Sequence, residues 1–438
     1  GPASERRCNL RAAANLCGRA GLGATRSELQ AVVDAGPVLA VDQLLDATRE
    51  EPEDFRREID TLAGASLAAG NAQNLSAWWA YRMLSTPAQL LEKLTLFWHG
   101  HFATSAAKVE DAELVYTQNK LLRKYALGDF SALLLEISRD PAMLVYLDSA
   151  TNRKAHPNEN YAREIMELFC LGEGNYSEAD IRELARCFTG WEIKRKKFRF
   201  NRYQHDSGRK TILGETGDFG GEDAVQIVLQ QTAAPMFIAR KLVKFLVMDE
   251  PDPAPELLAP LAQELRDHDL QIAPLVRRIL TSNLFYSHHS IGRKVRSPVE
   301  LGIGFLRSLE GSTNSYELAA ALQRLGQGLF YPPSVKGWDG GRTWINSSTL
   351  LGRSNLIRSL LESDKTRFGR ESLTDYLRSN GAQSPEQMIE LFEEILFAVP
   401  IPSAAKDRVL RLAGNGRDDH RLNEAVQALC TLPEFQLC

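Results

Sequence analysis

The sequence predicts a mainly α-helical protein: one large multi-helix domain over residues 1–438, with a small β-hairpin or loop insertion near residues 191–221. Three observations predict it. Helix-start signatures recur along the chain. Apolar residues follow them at the three- and four-residue spacing of a buried helical face. One stretch, 191–221, breaks into short alternating runs instead.

The elements follow in order. Thr25-Arg26-Ser27-Glu28 is a capping box, and Gly36-Pro37 ends the helix it opens. Thr86-Pro87 places a cap and a first-turn proline before an apolar-periodic helix from Ala88 to Trp98. Asp111 to Leu127, Phe130 to Ser138 and Pro141 to Leu147 read as further helices, followed by a polar loop from Asp148 to Pro157. A helix over Glu159 to Leu171 stops at Gly172, and Ser177 with Asp180 caps another whose Ile181, Leu184, Ala185 and Phe188 form an apolar stripe. Residues 191–221 are rich in Lys, Arg, Gly and aromatics, with alternation at Lys197-Phe198-Arg199-Phe200. Helices resume from about Glu222 to about Leu325. A Gly/Pro/Trp loop spans Phe330 to Asn346, and four helices are expected after it. The proline-rich, acidic stretch 249–260 is the best place for a sub-boundary, and no fixed-period repeat is present.

Composition excludes several classes. The formal net charge of -4 argues against a protein that coats nucleic acid, so no nucleic-acid partner is expected. No run approaches the roughly 18 apolar residues of a membrane span, so an integral membrane protein is not expected. Six Cys in 438 residues do not make a disulfide-stapled scaffold. They fall in three local pairs, Cys8/Cys17, Cys170/Cys187 and Cys430/Cys438, which are open to two readings: up to three disulfides, or buried thiols. A single straight helix carrying Cys8 and Cys17 would forbid that bridge, because nine residues rise about 13 Å. Walker A, Rossmann, HExxH and GxSxG signatures are absent from the sequence.

Four places carry chemistry-bearing residues. In Phe97-Trp98-His99-Gly100-His101-Phe102, two of the eight histidines stand two apart. Inside a helix they point about 200° apart, but they converge on a ligand if the helix breaks at Gly100. The alternative is a capping His and a packed His. In the second place, Asn160, Arg163, Glu164 and Glu167 share a polar stripe about 100° wide. Glu164 and Glu167 at i, i+3 can bind a metal or split into an acid and a base, with Glu159 as a further candidate. The alternative is a solvated face with an Arg163–Glu167 pair. The third place is His205-Asp206, which follows the basic run Lys194 to Arg202 and reads as a ligand or base pair, or as a turn. The fourth is Lys336-Gly337-Trp338-Asp339 with Trp344, a sugar-stacking wall or a packing anchor.

Several stretches together resemble the large bacterial domain-of-unknown-function family 1800. They are Ala14 to Gly23, Phe97 to Ser105, Glu159 to Trp191, His205-Asp206 with Leu213-Gly214, Arg296-Ser297-Pro298 with Glu300, and Val335-Lys336-Gly337-Trp338. The family segment usually reads ELMELFTLG. Here it is Glu164 to Gly172 with Cys170 in place of Thr, so a Cys170–Cys187 link would be particular to this chain. The resemblance implies a helical bacterial protein that is commonly exported, whether periplasmic, cell-surface or secreted, and it supplies no reaction. It raises the expectation of a shared site at His99, His101, Glu164 and His205.

The leading expectation is an exported hydrolase acting on an extracellular polymer such as a polysaccharide. A divalent metal would be held by His99, His101, Glu164 and His205, with Glu167 or Asp206 as base. Asn160, Arg163, Lys336, Trp338, Asp339, Trp344 and Arg353 would hold substrate. The alternatives are a metal-free glycosidase using Glu164 with Glu159 or Glu167, a non-enzymatic surface assembly protein, and a redox metalloenzyme.

Overall fold

The computed structural model describes residues 9–416 and 418–438. Helix covers 62% of the chain, in 23 α-helices among the described residues, and the only sheets there are small two-stranded antiparallel pairs. The fold is mainly α with minor β insertions, as the capping and periodicity signals predict.

Local chemistry sets the helix starts. Thr25 and Glu28 bond reciprocally to open Arg26–Ala35, and Gly36 at φ 77° turns the chain into Pro37–Asp46. Asp140 accepts from the Met143 amide at 2.9 Å and Pro141 opens the next turn, Pro141–Tyr146. Ser177 and Asp180 form the capping box of Glu178–Cys187. The insertion is two hairpins, not one. Trp191–Lys194 pairs with Lys197–Phe200, and Lys210–Ile212 pairs with Glu215–Gly217. Arg195 and Lys196 both take positive φ, the backbone of a two-residue primed turn. After the 330–346 loop the chain forms five α-helices where four are expected; the seven-residue Leu373–Ser379, capped by Ser372, is the short one.

Two apolar cores meet along shared helices. In Leu10–Ala20, Ala13 and Cys17 face one core while Leu16 and Ala20 face the other. Gln89–His101 does the same with Leu96 against Leu90, Leu94 and Trp98. Two buried charges on consecutive residues fix this second helix. The Glu92 carboxylate accepts from Arg82 at 2.6 Å, from Arg123 at 2.6 and 2.9 Å, and from the Trp79 indole at 2.8 Å. The Lys93 ammonium donates to Glu300 at 2.5 Å. Paired in this way, neither charge is stranded in low dielectric.

The cysteine pairs do not bridge where both partners are described. Cys170, Cys187, Cys430 and Cys438 carry free, buried thiols. Cys8 lies outside the described residues, so its pairing with Cys17 does too. Burial pushes the Cys187 thiol up to about 12, and thiols so protonated behave as small apolar groups. No described helix is long and apolar enough to cross a membrane.

Candidate functional site

The helix Gln89–His101 does not break at Gly100 but runs through it. His99 and His101 therefore leave opposite sides of one helix. His99 is 2% exposed, and its ring sits among Trp79, Phe330 and Trp338 at centroid distances of 5.1–5.7 Å. Its Nε2 accepts the Phe330 amide proton at 3.1 Å, so that lone pair is occupied. Burial holds the imidazole down to about 3, keeping it neutral. His101, 5% exposed, packs against Phe97, Phe102, Phe169 and Phe237. Its Nε2 lies 3.0 Å from the Phe169 carbonyl oxygen, which can only accept, so Nε2 carries the proton. The Nδ1 lone pair is buried and has no hydrogen-bond partner. Burial and the nearby Lys241 ammonium hold this ring well below the usual histidine range.

The segment expected as one helix from Glu159 to Leu171 changes type halfway. Asn160–Glu164 is α-helical, and Ile165–Cys170 continues as a π-helix. Such wide turns are rare and often mark functional positions. Here the turn ends with the Leu171 and Gly172 amides both donating to the Met166 carbonyl, while the Phe169 carbonyl accepts from His101. Glu164 and Glu167 stand at the junction, both partly exposed. Burial and then the Glu167 charge raise Glu164 above the ordinary carboxylate value, while Arg163 and Lys336 oppose. The Tyr176 hydroxyl donates to Glu167 Oε2 at 3.2 Å. Arg163 pairs not with Glu167 but with Glu178, at 2.9 Å through both nitrogens, and with Glu159 at 3.4 Å. Glu159 is thereby committed to Arg163. Asn160 donates to the Leu147 carbonyl at 3.3 Å, holding the preceding loop.

The 330–346 loop closes over the end of the histidine helix. A β-carbon on Gly337 would lie 2.1 Å from the Gly100 carbonyl oxygen, so the two backbones touch. The Trp338 ring lies over Gly100 and beside His99, and its indole nitrogen donates to the Gly326 carbonyl at 2.9 Å. Beyond this contact the exposed Lys336 acts on Glu164 and the exposed Asp339 on Lys241. Lys241, on Ala233–Leu246, lies over the Phe237 ring at 5.5 Å. Burial lowers its ammonium and Asp339 supports it. No sequence motif marks Lys241, Phe237 or Tyr176; they reach the site only through packing.

The other expected residues lie apart. His205 Nδ1 donates to the Thr189 carbonyl at 2.9 Å, with its ring against Phe200. Asp206 is held by Arg186 at 2.7 and 3.2 Å, which lowers its carboxyl to about 2. Both serve the insertion. Trp344, 8% exposed, packs inside the loop. Arg353, 2% exposed, donates to Gln436 at 2.7 Å and to the Arg296 carbonyl at 2.8 Å, a core tie with no access to substrate. His99, His101, Glu164 and His205 are not brought together, and no group of three or more His, Cys, Asp or Glu among the described residues could hold a metal ion.

The fold and this site define a helical protein in which a π-helical carboxylate segment, a buried histidine helix and a Gly/Trp loop converge. A family model described as Protein of unknown function (DUF1800) matches residues 15–437, and the chain belongs to that family. No curated protein and no solved structure matches it.

Proposed function

We propose that the chain is an exported hydrolase that cleaves an extracellular polymer, a polysaccharide being the substrate class, by metal-free acid–base chemistry at Glu164 and Glu167. The observation that carries this reading is the pair itself. Glu164 is held above the usual carboxylate range by burial and by the Glu167 charge, and Tyr176 donates to Glu167. A carboxyl that holds its proton more tightly, beside a second carboxylate, is what glycosidic cleavage uses. Glu164 gives its proton to the leaving oxygen as the C–O bond breaks. Glu167 serves the sugar carbon, either by taking a proton from the attacking water or by attacking directly. Carboxyl separation decides which, roughly 5 Å for direct attack and about 6.5–9.5 Å for the water route. Lys336, Trp338 and Asp339 form the rim that receives the sugar.

The metal-dependent version expected from the sequence draws less support, because the four proposed ligands point to separate places. The experiment is release of reducing ends from a panel of bacterial envelope polysaccharides, with and without chelator. Activity that survives the chelator and drops at least about a hundredfold in Glu164→Gln supports the reading. Chelator-sensitive activity, or activity unchanged in Glu164→Gln, contradicts it.

A further inference from the structure

Away from the carboxylate site, two clefts share one wall. The first encloses about 520 Å³ beside the helices Glu53–Ala68 and Ala112–Tyr125. The second encloses about 890 Å³ along Ala233–Leu246, Pro255–Asp267 and Ile272–Leu280. Thr48, Arg49 and Leu127 line both, so the two clefts adjoin. Each half is of a size that holds a small organic ligand.

The two ends differ in chemistry. In the first cleft the floor guanidiniums of Arg82 and Arg123 are already matched by Glu51 and Glu92. Above them, Arg56, Lys120 and Lys124 form no ion pair among the described residues, and the two lysines lie over the Tyr116 and Tyr125 rings at 5.6 and 4.8 Å. Of the two lining carboxylates, Glu51 is taken by Arg82, which leaves Asp60 against three uncommitted cations. That end presents net positive charge to an approaching ligand. The second cleft is walled by Val243, Leu257, Leu261, Pro274 and Ile279. Its two arginines from Ile272–Leu280 are already paired: Arg277 with Asp42 at 2.6 and 3.0 Å, and Arg278 with Glu264. That end offers apolar surface and seeks no counter-ion.

We infer that the two adjoining clefts together bind an amphiphile with one acyl chain and an anionic head. The chain lies along Leu257 and Leu261, and the head meets Arg56, Lys120 and Lys124. A short anion would leave the trough wet, and a cationic amphiphile would meet like charge.

Calorimetric titration tests this with laurate below its micelle concentration. Butyrate supplies the same head without the tail, and dodecyltrimethylammonium the same tail with the opposite head. Saturable one-to-one laurate binding is expected, with both controls at least tenfold weaker. A Lys120→Glu/Lys124→Glu variant, whose changes are on exposed side chains, and a separate Leu261→Asp variant should each weaken laurate at least tenfold. Absence of saturable laurate binding, equal binding of the cationic amphiphile, or unchanged affinity in the folded lysine variant would overturn the inference. The test reads binding alone, so its outcome is independent of the hydrolytic reading.

Discussion

His101 donates its Nε2 proton to the Phe169 carbonyl oxygen at 3.0 Å, joining the end of one helix to a π-helical turn 68 residues further along the chain. The bond defines the tautomer of His101 and holds the segment that carries Glu164 and Glu167. A His101→Phe variant keeps an aromatic ring at this position and removes the donor. The stranded carbonyl is expected to cost about 1–3 kcal/mol in urea denaturation. A loss below about 0.5 kcal/mol would show that the bond does not hold the turn.

Acid should weaken the fold through the buried histidines. Burial holds His99 down to about 3, whereas an unfolded histidine titrates near roughly 6.5. The neutral ring's contribution is therefore complete above about pH 6.5 and is lost as pH falls towards about 3. Asp140 works the other way. Burial pushes its carboxyl up to about 7, so the folded state gains a proton there that the unfolded chain binds only near roughly 4. In His99→Gln, the unfolding free energy should fall less between about pH 7 and about pH 5 than it does in the unaltered chain, by up to about 1.4 kcal/mol per pH unit. Parallel pH curves would contradict the assignment.

Gly337 should be the least replaceable glycine of the closing loop. Gly337→Ala drives a β-carbon into the Gly100 carbonyl, while Gly340→Ala meets nothing within 4 Å; both start from positive φ, 73° and 74°. Backbone strain is common to the two, roughly 1–3 kcal/mol. The extra contact should make Gly337→Ala the more destabilising by about 1–3 kcal/mol, and it alone should lower hydrolysis at least tenfold. Thermal melts and rates measured side by side check this, and equal effects would refute the contact's role.

The helix starts were legible because their causes are local. Thr25 with Glu28, Ser177 with Asp180, and Asp140 before Pro141 each satisfy amides within one turn. The helix runs through Gly100 for a reason outside the helix itself. A mid-helix glycine costs only about 1 kcal/mol, and here it serves the approach of Gly337 from 237 residues further along the chain. The π-helix was equally hidden, since the 164–172 sequence supports an ordinary helix by spacing and the wider turn shows only in the folded chain. Glu164, Glu167, Lys336 and Trp338 are singled out in the sequence by residue type. Lys241 is not, because it looks like one more basic residue on an amphipathic helix until Phe237 and His101 close around it.

The central claim is that Glu164 is the proton donor and that Glu167 sets its affinity. The most direct measurement is the alkaline limb of the pH–rate profile in three chains: unaltered, Glu167→Gln and Lys336→Ala. The Glu167 charge raises Glu164 and the Lys336 charge lowers it. The limb should therefore move to lower pH in Glu167→Gln, on whatever activity remains, and to higher pH in Lys336→Ala. An alkaline limb at the same pH in all three chains would contradict the account.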